Sequence, residues 1–308
     1  MDIVGVGYNC IDRLCTVEEY PPEDSSTHIT SINIQGGGAT ATALVCASRL
    51  GKKTCLVGNV GKDGVSDEII GLLEEDGVDC SKLIRRNDGF GLQSFVMVNP
   101  ANGSRTKFPQ RDTNPDIEWT GELKKAIKDA KILHLDGTNH ANAMEAAKTA
   151  KEWGTLVSLD GASLKEPNEI NLELARLADI LIMNWRYPVR VTGIKDYDEA
   201  LLEIASWGTA RIVIGTIGSK GCKAVIDGHI EYFPAYPVDV VDTTGAGDVF
   251  HGAFLAGYLD GMELRENIRF ASAVAALKCT KVGGRAGIPK KKEALEFMER
   301  MDREMFRH

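Results

Sequence analysis

No apolar run in the 308 residues reaches the roughly 18–20 residues that a membrane-crossing helix requires, so none is expected. The opening stretch Met1-Asp2-Ile3-Val4-Gly5-Val6-Gly7 lacks a basic segment and a small-residue cleavage site, which argues against a secretory leader. Cysteines are present (Cys10, Cys15, Cys46, Cys55, Cys80, Cys222 and Cys279), but they are odd in number and form no CxxC pair. That pattern disfavours a disulfide frame or a zinc site and fits buried thiols in a reducing compartment, so a cytoplasmic protein is predicted. There is no excess of positive charge: the net charge of -8 argues against broad binding to nucleic acid or an anionic membrane. Several chemical signatures are missing too. No GxxxxGK[ST] occurs, which excludes a P-loop enzyme. His28, His134, His140, His229, His251 and His308 never fall in HExxH spacing, and no GxSxG elbow is found. Gly5-x-Gly7 lacks the third glycine of a dinucleotide fingerprint, because position 10 is Cys. His251 reads as a packed or capping residue.

What remains is ordinary globular composition, 43% hydrophobic and 26% charged, with a strong alternating rhythm. Short apolar runs at Ile3–Tyr8, Thr54–Gly58, Ile132–Leu135, Thr155–Leu159, Ile180–Met183 and Arg211–Thr216 read as strands. Helical periodicity lies between them, near 39–51, 64–76, 120–129, 141–153, 172–178 and 198–208, several stretches stopping at glycine (Gly51, Gly77, Gly154, Gly208). Strictly alternating strands and helices predict an α/β fold, a mainly parallel sheet covered on both faces. Two stretches break the rhythm. Residues 11–35 hold no convincing helix and end in the strand pattern His28–Ile34. Residues 91–110 read as a hairpin, Leu92–Val98 and Ser104–Phe108 around Asn102-Gly103. Both are expected to be strands of a small β-sheet inserted into one domain spanning 1–308, a lid over the active cleft. The last third should hold an antiparallel hairpin (Val225–Asp227, Ile230–Phe233) and helices at 246–260 and 264–279. A charged helix near 290–306 is expected to be a solvated surface element.

The most informative segment is Asp242-Thr243-Thr244-Gly245-Ala246-Gly247-Asp248, followed by the apolar Val249-Phe250-His251-Gly252-Ala253-Phe254. Small residues turn the backbone tightly and expose its amides where a helix begins, which makes a site for a negatively charged oxygen. Asp248 stands beside that anion hole, where a base for a substrate hydroxyl belongs. The amides of 245–248 would stabilise charge on a moving phosphoryl group while Asp248 takes the acceptor's proton.

Gly245-Ala246-Gly247-Asp248, in the setting Asp-Thr-Thr-Gly-Ala-Gly-Asp-x-Phe-x-Gly-Ala, resembles the C-terminal signature of the ribokinase-like (PfkB) carbohydrate kinases. The second signature of that family, a glycine pair opening a helix that ends in Leu-Gly, has its likeness in Gly36-Gly37-Gly38-Ala39-Thr40-Ala41-Thr42-Ala43 running to Arg49-Leu50-Gly51. The resemblance spans nearly the whole chain. It implies a three-layer α/β/α fold with a small lid sheet, and an ATP- and Mg²⁺-dependent sugar kinase. It further implies that Asp248 is the catalytic base and that Gly245, Ala246 and Gly247 form the anion hole. On the sugar side it points to Asp12, Gly37, Gly38, Thr42 and Asn9, with Arg105, Lys107, Asn139 and His140 as further candidates. Asn184, Thr216, Gly218, Gly221, Thr243 and Ala275 fall on the nucleotide side. Asp242, Thr244 and Gly283, with the 281–287 loop, fall where many members hold a monovalent cation such as K⁺. A homodimer through the lid is implied as well.

The sequence departs from the family at three places. Thr42 replaces an asparagine, Tyr187 replaces the carboxylate of an Asn-x-x-Glu motif, and Gly287 replaces a hydroxyl side chain that can close the cation loop. Segments around the signature (Val238–Val241, Lys278–Thr280, Gly283–Pro289) are similar to the sulfofructose kinase subgroup. However, Ser26, Thr27 and Thr138 stand where cations for a sulfonate would be expected, so that substrate is not carried over. A nucleoside kinase on the same scaffold and a non-catalytic sugar- or nucleotide-binding regulator remain as alternatives. A nicotinamide-dependent dehydrogenase is least favoured.

Overall fold

The computed structural model describes residues 1–99, 101 and 104–305. The chain opens with β1 (Ile3–Val6), β2 (Cys10–Val17) and β3 (Ile29–Gly37), then runs through α1 (Ala39–Arg49), β4 (Thr54–Gly61), α2 (Gly64–Glu75) and β5 (Val78–Arg86). Strands β6 (Gln93–Val98) and β7 (Arg105–Pro109) follow. Next come α3 (Gly121–Lys128), β8 (Ile132–Leu135), α4 (His140–Trp153), β9 (Leu156–Gly161), α5 (Glu169–Ala175) and β10 (Ile180–Asn184). After α6 (Tyr187–Thr192), α7 (Tyr197–Ser206) and β11 (Ile212–Thr216), a hairpin pairs β12 (Cys222–Ile226) with β13 (His229–Phe233). Helices α8 (Ala246–Leu259), α9 (Leu264–Lys278) and α10 (Lys291–Met305) end the described chain.

Nine strands form one sheet in the order β13-β12-β11-β10-β9-β8-β1-β4-β5. It is parallel from β11 to β5; β12 alone runs the other way, pairing antiparallel with both β11 and β13. Period-two geometry sends successive side chains to opposite faces. Ile3, Ile132, Ile180, Ile182 and Ile214 enter a core with α1, α2, α8, α9 and α10. Val4, Val6, Leu133, Leu135, Leu181 and Met183 enter a second core with α3, α4 and α7. Two cores on one sheet make the three-layer α/β/α arrangement the alternation predicted. The helices start where side chains can cap them: Asp63, Thr120, Asn139 and Asp196 each accept a first-turn amide hydrogen bond.

The second sheet is small, in the order β3-β2-β6-β7. β2 is antiparallel to β3 but parallel to β6, and β6 is antiparallel to β7. The predicted turn residues Asn102 and Gly103 lie outside the described residues. Two readings are corrected and two elements are added. Val78–Arg86 is a strand, unnoticed because its polar residues face solvent at the sheet edge. The helix expected near 172–178 occupies Glu169–Ala175 instead, and α6 was not anticipated. The charged last helix is not merely solvated: Ala294, Phe297, Met298 and Met301, spaced as one helical stripe, are buried in the first core.

Candidate active site

The site grows from the junction between the β13 connection and α8. Gly245 caps the helix at φ 73°, a left-handed conformation that costs glycine nothing, and a Cβ there would stand 3.0 Å from the Gly284 carbonyl oxygen. Of the four amides expected to form the anion hole, Ala246 N–H is engaged, donating to the Thr243 carbonyl at 3.2 Å. The amides of Gly245, Gly247 and Asp248 have no acceptor among the described residues. Gly245 opens onto a polar cleft that is also lined by Ser104, Arg105, Lys107, Thr243 and Thr244. Three free donors at the positive end of a 14-residue helix are what a phosphoryl oxygen needs.

Asp248 is half-buried in the first turn of α8. Loss of water, reinforced by the Asp160 carboxylate, pushes its carboxyl up to about 7. Asp160 ends β9 and receives the His251 Nε2, one turn beyond Asp248, at 3.3 Å. Burial opposes the charge on His251, but the carboxylates of Asp160, Asp248 and Asp136 outweigh it and hold the ring's pKa above the ordinary value. His134 lies 5.5 Å away between ring centroids, bonded through Nδ1 to Ser158 Oγ at 3.2 Å. Burial first, then the His251 charge, drives His134 down to about 3, opposite in direction to its neighbour. His251 is therefore packed, as expected, and also electrically coupled to Asp248. Sequence reading missed Asp160 and Asp136. The only available signal was position, since each is a lone carboxylate at the carboxyl end of a parallel strand, where open α/β sheets place their ligands.

Asp136 ties the end of β1, the start of α1 and the turn after β8 together. Its Oδ2 accepts from Tyr8 N at 2.7 Å and Thr40 Oγ1 at 2.9 Å, and its Oδ1 from Thr138 N at 2.9 Å. Above it, Asp12 on β2 lies against Gly37, where a Cβ would come within 2.4 Å of its Oδ2. Burial raises the Asp12 carboxyl, with Lys107 and Arg285 opposing. Gly38, at φ 93°, packs its backbone on Tyr8, whose carbonyl would be 2.3 Å from any Cβ. Asn9 lines a second polar cavity with Tyr8, Asn59, Asp112, Asn114 and Thr138 at the ends of β1, β4 and β8. Thr42 is buried, and its hydroxyl accepts from Arg285 Nε at 3.3 Å. Arg285 also donates to the Gly37 carbonyl at 2.8 Å, so a guanidinium fills the space beside this threonine. Asn139 is used structurally, capping α4 and donating to Asp116 at 2.9 Å. Arg105 reaches from β7 to Asp242 Oδ1 and Thr244 Oγ1, joining the small sheet to the anion-hole loop.

On the other side, Asn184 ends β10 and accepts from the amides of Arg186 (3.0 Å) and Tyr187 (3.2 Å). Tyr187 is buried, its hydroxyl donating to the Asn171 carbonyl at 3.2 Å. Thr216 donates to the Met183 carbonyl at 3.2 Å and opens the turn in which Gly218 and Gly221 both take positive φ. A Cβ on Gly221 would meet the Phe233 carbonyl oxygen at 2.0 Å. Ala275 lies on α9, part-buried against the first core. Beside Thr216–Gly221, a groove lined by Trp185, Arg186, Ile217, Lys220 and Tyr232 gives a flat, cationic surface. Among the described residues no group of three or more His, Cys, Asp or Glu is placed so that it could hold a metal ion. No described helix is long and apolar enough to cross a membrane.

With this geometry in place, comparison with known proteins is specific. A model described as pfkB family carbohydrate kinase matches residues 1–291. A nucleoside kinase of Methanothermobacter thermautotrophicus is 30% identical over 305 residues, 96% of this chain and 94% of its own length. A fructokinase of Zea mays is 30% identical over 290 residues, 86% and 88% of the two chains. The solved structure of Arabidopsis thaliana ribokinase complexed with ribose and ATP superposes with a TM-score of 0.84 at 26% identity, over 97% of this chain and 98% of that one. A ribokinase from Thermotoga maritima gives 0.83 at 26% identity, over 97% and 99%.

Proposed function

The chain belongs to the pfkB family of carbohydrate kinases, and on that footing we propose that it moves the γ-phosphoryl group of ATP to a hydroxyl of a ketose or hexose-type sugar, with Asp248 as general base. One observation carries this reading: three unpaired amides and a carboxylate poised near neutrality share the head of α8, beneath the small sheet. The acceptor hydroxyl lies between Asp12, Gly37, Gly38 and Asn9 on one side and Asp248 on the other. As it attacks, Asp248 takes its proton, and the amides of Gly245, Gly247 and Asp248 hold the charge spread over the oxygens in flight. ATP enters as its Mg²⁺ complex over Asn184, Thr216–Gly221, Thr243 and the α9 face around Ala275. Because Tyr187 is inward-facing and engaged, the metal relies on phosphate and water rather than on a protein carboxylate there. Lid strands with apolar residues exposed support a homodimer. All seven cysteines are free and buried, which supports a cytoplasmic setting.

The amide- and hydroxyl-rich lining of the cavity beside Asn9 favours a polyol acceptor. The likeness to an archaeal nucleoside kinase over almost the whole chain favours a nucleoside as the second reading. An ADP-release screen over ketoses, aldoses, sugar acids, sugar phosphates and nucleosides separates them. Asp248→Asn should lower kcat by about a thousandfold or more while ATP still binds in calorimetry. Turnover retained in that variant would remove the base assignment, and no ADP release with any acceptor would favour the non-catalytic regulator.

A further inference from the structure

A monovalent cation is expected at Asp242, Thr244 and Gly283, and the residues present do not fit one. An ion such as K⁺ is held by several carbonyl and carboxylate oxygens that replace its water shell. Here the Asp242 carbonyl, both Asp242 carboxylate oxygens and the Thr244 hydroxyl are already engaged. The Asp242 carbonyl accepts from Lys278 Nζ at 2.7 Å. Asp242 Oδ1 accepts from Thr244 N at 2.7 Å and from the Arg105 guanidinium, and Oδ2 accepts from Gly283 N at 2.8 Å. Thr244 Oγ1 also receives Arg105. Gly283 thus faces this place with a donor, its amide, rather than an acceptor.

Lys278 has no room to be anywhere else. It closes α9, and its side chain is completely buried. The loop is zipped to that helix end, because Val241 N and Asp242 N both donate to the Cys279 carbonyl, at 2.8 and 3.0 Å. The third departure noted in the sequence belongs to the same arrangement. Gly287 lies flat on the Lys278 backbone, where a Cβ would come within 2.3 Å of the Lys278 oxygen. No side chain at 287 can lean over to complete an ion's shell. Lys278 and Arg105 thus bring two protein cations to the place an ion would take.

We infer that this chain carries its cation covalently: the Lys278 ammonium, backed by Arg105 from the small sheet, holds the 242–247 loop in its anion-binding shape, and the protein works without a bound monovalent ion. Lys278 and Arg105 are positioning residues here, acting on phosphate through the loop. The activity arm of the test rests on the kinase reading, whereas the thermal arm does not.

The experiment compares KCl with tetramethylammonium chloride at equal ionic strength, roughly 0.1 M, so that general screening is the same in both. In the native protein kcat and the KM for ATP should agree within about twofold between the two salts, and the thermal midpoint should be the same. Activation by K⁺ of more than about tenfold, or a midpoint raised by K⁺ alone, overturns the inference. Lys278→Met keeps length and removes charge. It should lose most activity in tetramethylammonium, recover part of it in K⁺ or Rb⁺, and acquire a K⁺-specific rise in midpoint. A Lys278→Met protein fully active in tetramethylammonium sinks the idea. Should that variant fail to fold, the native comparison decides alone. Should no acceptor be phosphorylated, the kinase reading fails while the K⁺ dependence of the midpoint still judges this one.

Discussion

As the proposed base, Asp248 would have to ionise, and yet its surroundings stabilise it as an acid; that conflict makes it measurable. Its carboxyl stands near 7, well above an unfolded aspartate at 3.8. As base it must be ionised, so kcat/KM should climb with pH below about 7 and level off above it. The stability sign runs the other way. Between about pH 4 and 7 the native chain keeps a proton that the unfolded chain has lost, so the native state loses ground as pH rises and the loss is complete above 7. Asp248→Asn should therefore melt with the native protein near pH 4 and above it at pH 8, which calorimetric scans across that range will check. His251 supplies the opposing positive charge. His251→Gln should move the kcat/KM limb to higher pH and, by stranding the buried Asp160 carboxylate, cost about 3–5 kcal/mol of stability in urea titrations. A limb unmoved by that change would uncouple the two residues.

At the scale of elements, the site depends on how closely α8 packs against α1. Gly252 lets the helices touch, since a Cβ there would stand 2.2 Å from the Ala43 carbonyl and 2.7 Å from Cys46 Cβ. Gly252→Ala should cost about 1–3 kcal/mol through overpacking and, by tilting the head of α8, lower kcat more than it changes the KM for ATP. Gly71 in α2 has nothing within 4 Å, so Gly71→Ala should instead stabilise by about 0.5–1 kcal/mol in the same urea titrations. Elements with a strong periodic pattern were legible in the sequence: β8, β10 and α4 came out nearly to the residue because both their faces, or one clear stripe, are apolar. β5 was not, since Asp79, Ser81 and Lys82 break the run at a sheet edge. The glycine signature at 245–248 announced itself locally. Lys278 and Arg285 did not, because their meaning lies in partners far along the chain, such as Thr42, 243 positions away. The free amides could be expected from the turn, but the loss of Ala246 N–H to Thr243 could not.

For the whole molecule, the carboxyl edge of one nine-stranded sheet gathers Asp136, Asp160 and Asn184, and the small sheet stands over it. That small sheet is itself half-covered. β3 leaves Ile29 at 48%, Ile32 at 60% and Ile34 at 43% exposure, with Phe95 and Phe108 uncovered on β6 and β7. In the proposed homodimer this is the face a second copy would cover. Ile32→Glu should shift sedimentation from dimer to monomer and raise the KM for the acceptor without changing thermal unfolding of the body. A native protein that sediments as a monomer would contradict the pairing.

The small sheet is woven from two pieces of chain between which α1, β4, α2 and β5 intervene. The adjacency of β2 and β6 is therefore a late event in the life of each molecule. A polypeptide leaving the ribosome must hold the β2–β3 ribbon without its β6 neighbour until residue 98 has been made, and β1 must wait for β8 to complete its flanks. Distant pairings of this sort slow assembly and leave sticky edges bare in the meantime. Newly synthesised copies should thus pass through a stage with the body partly set and the cover missing, when chaperones matter most.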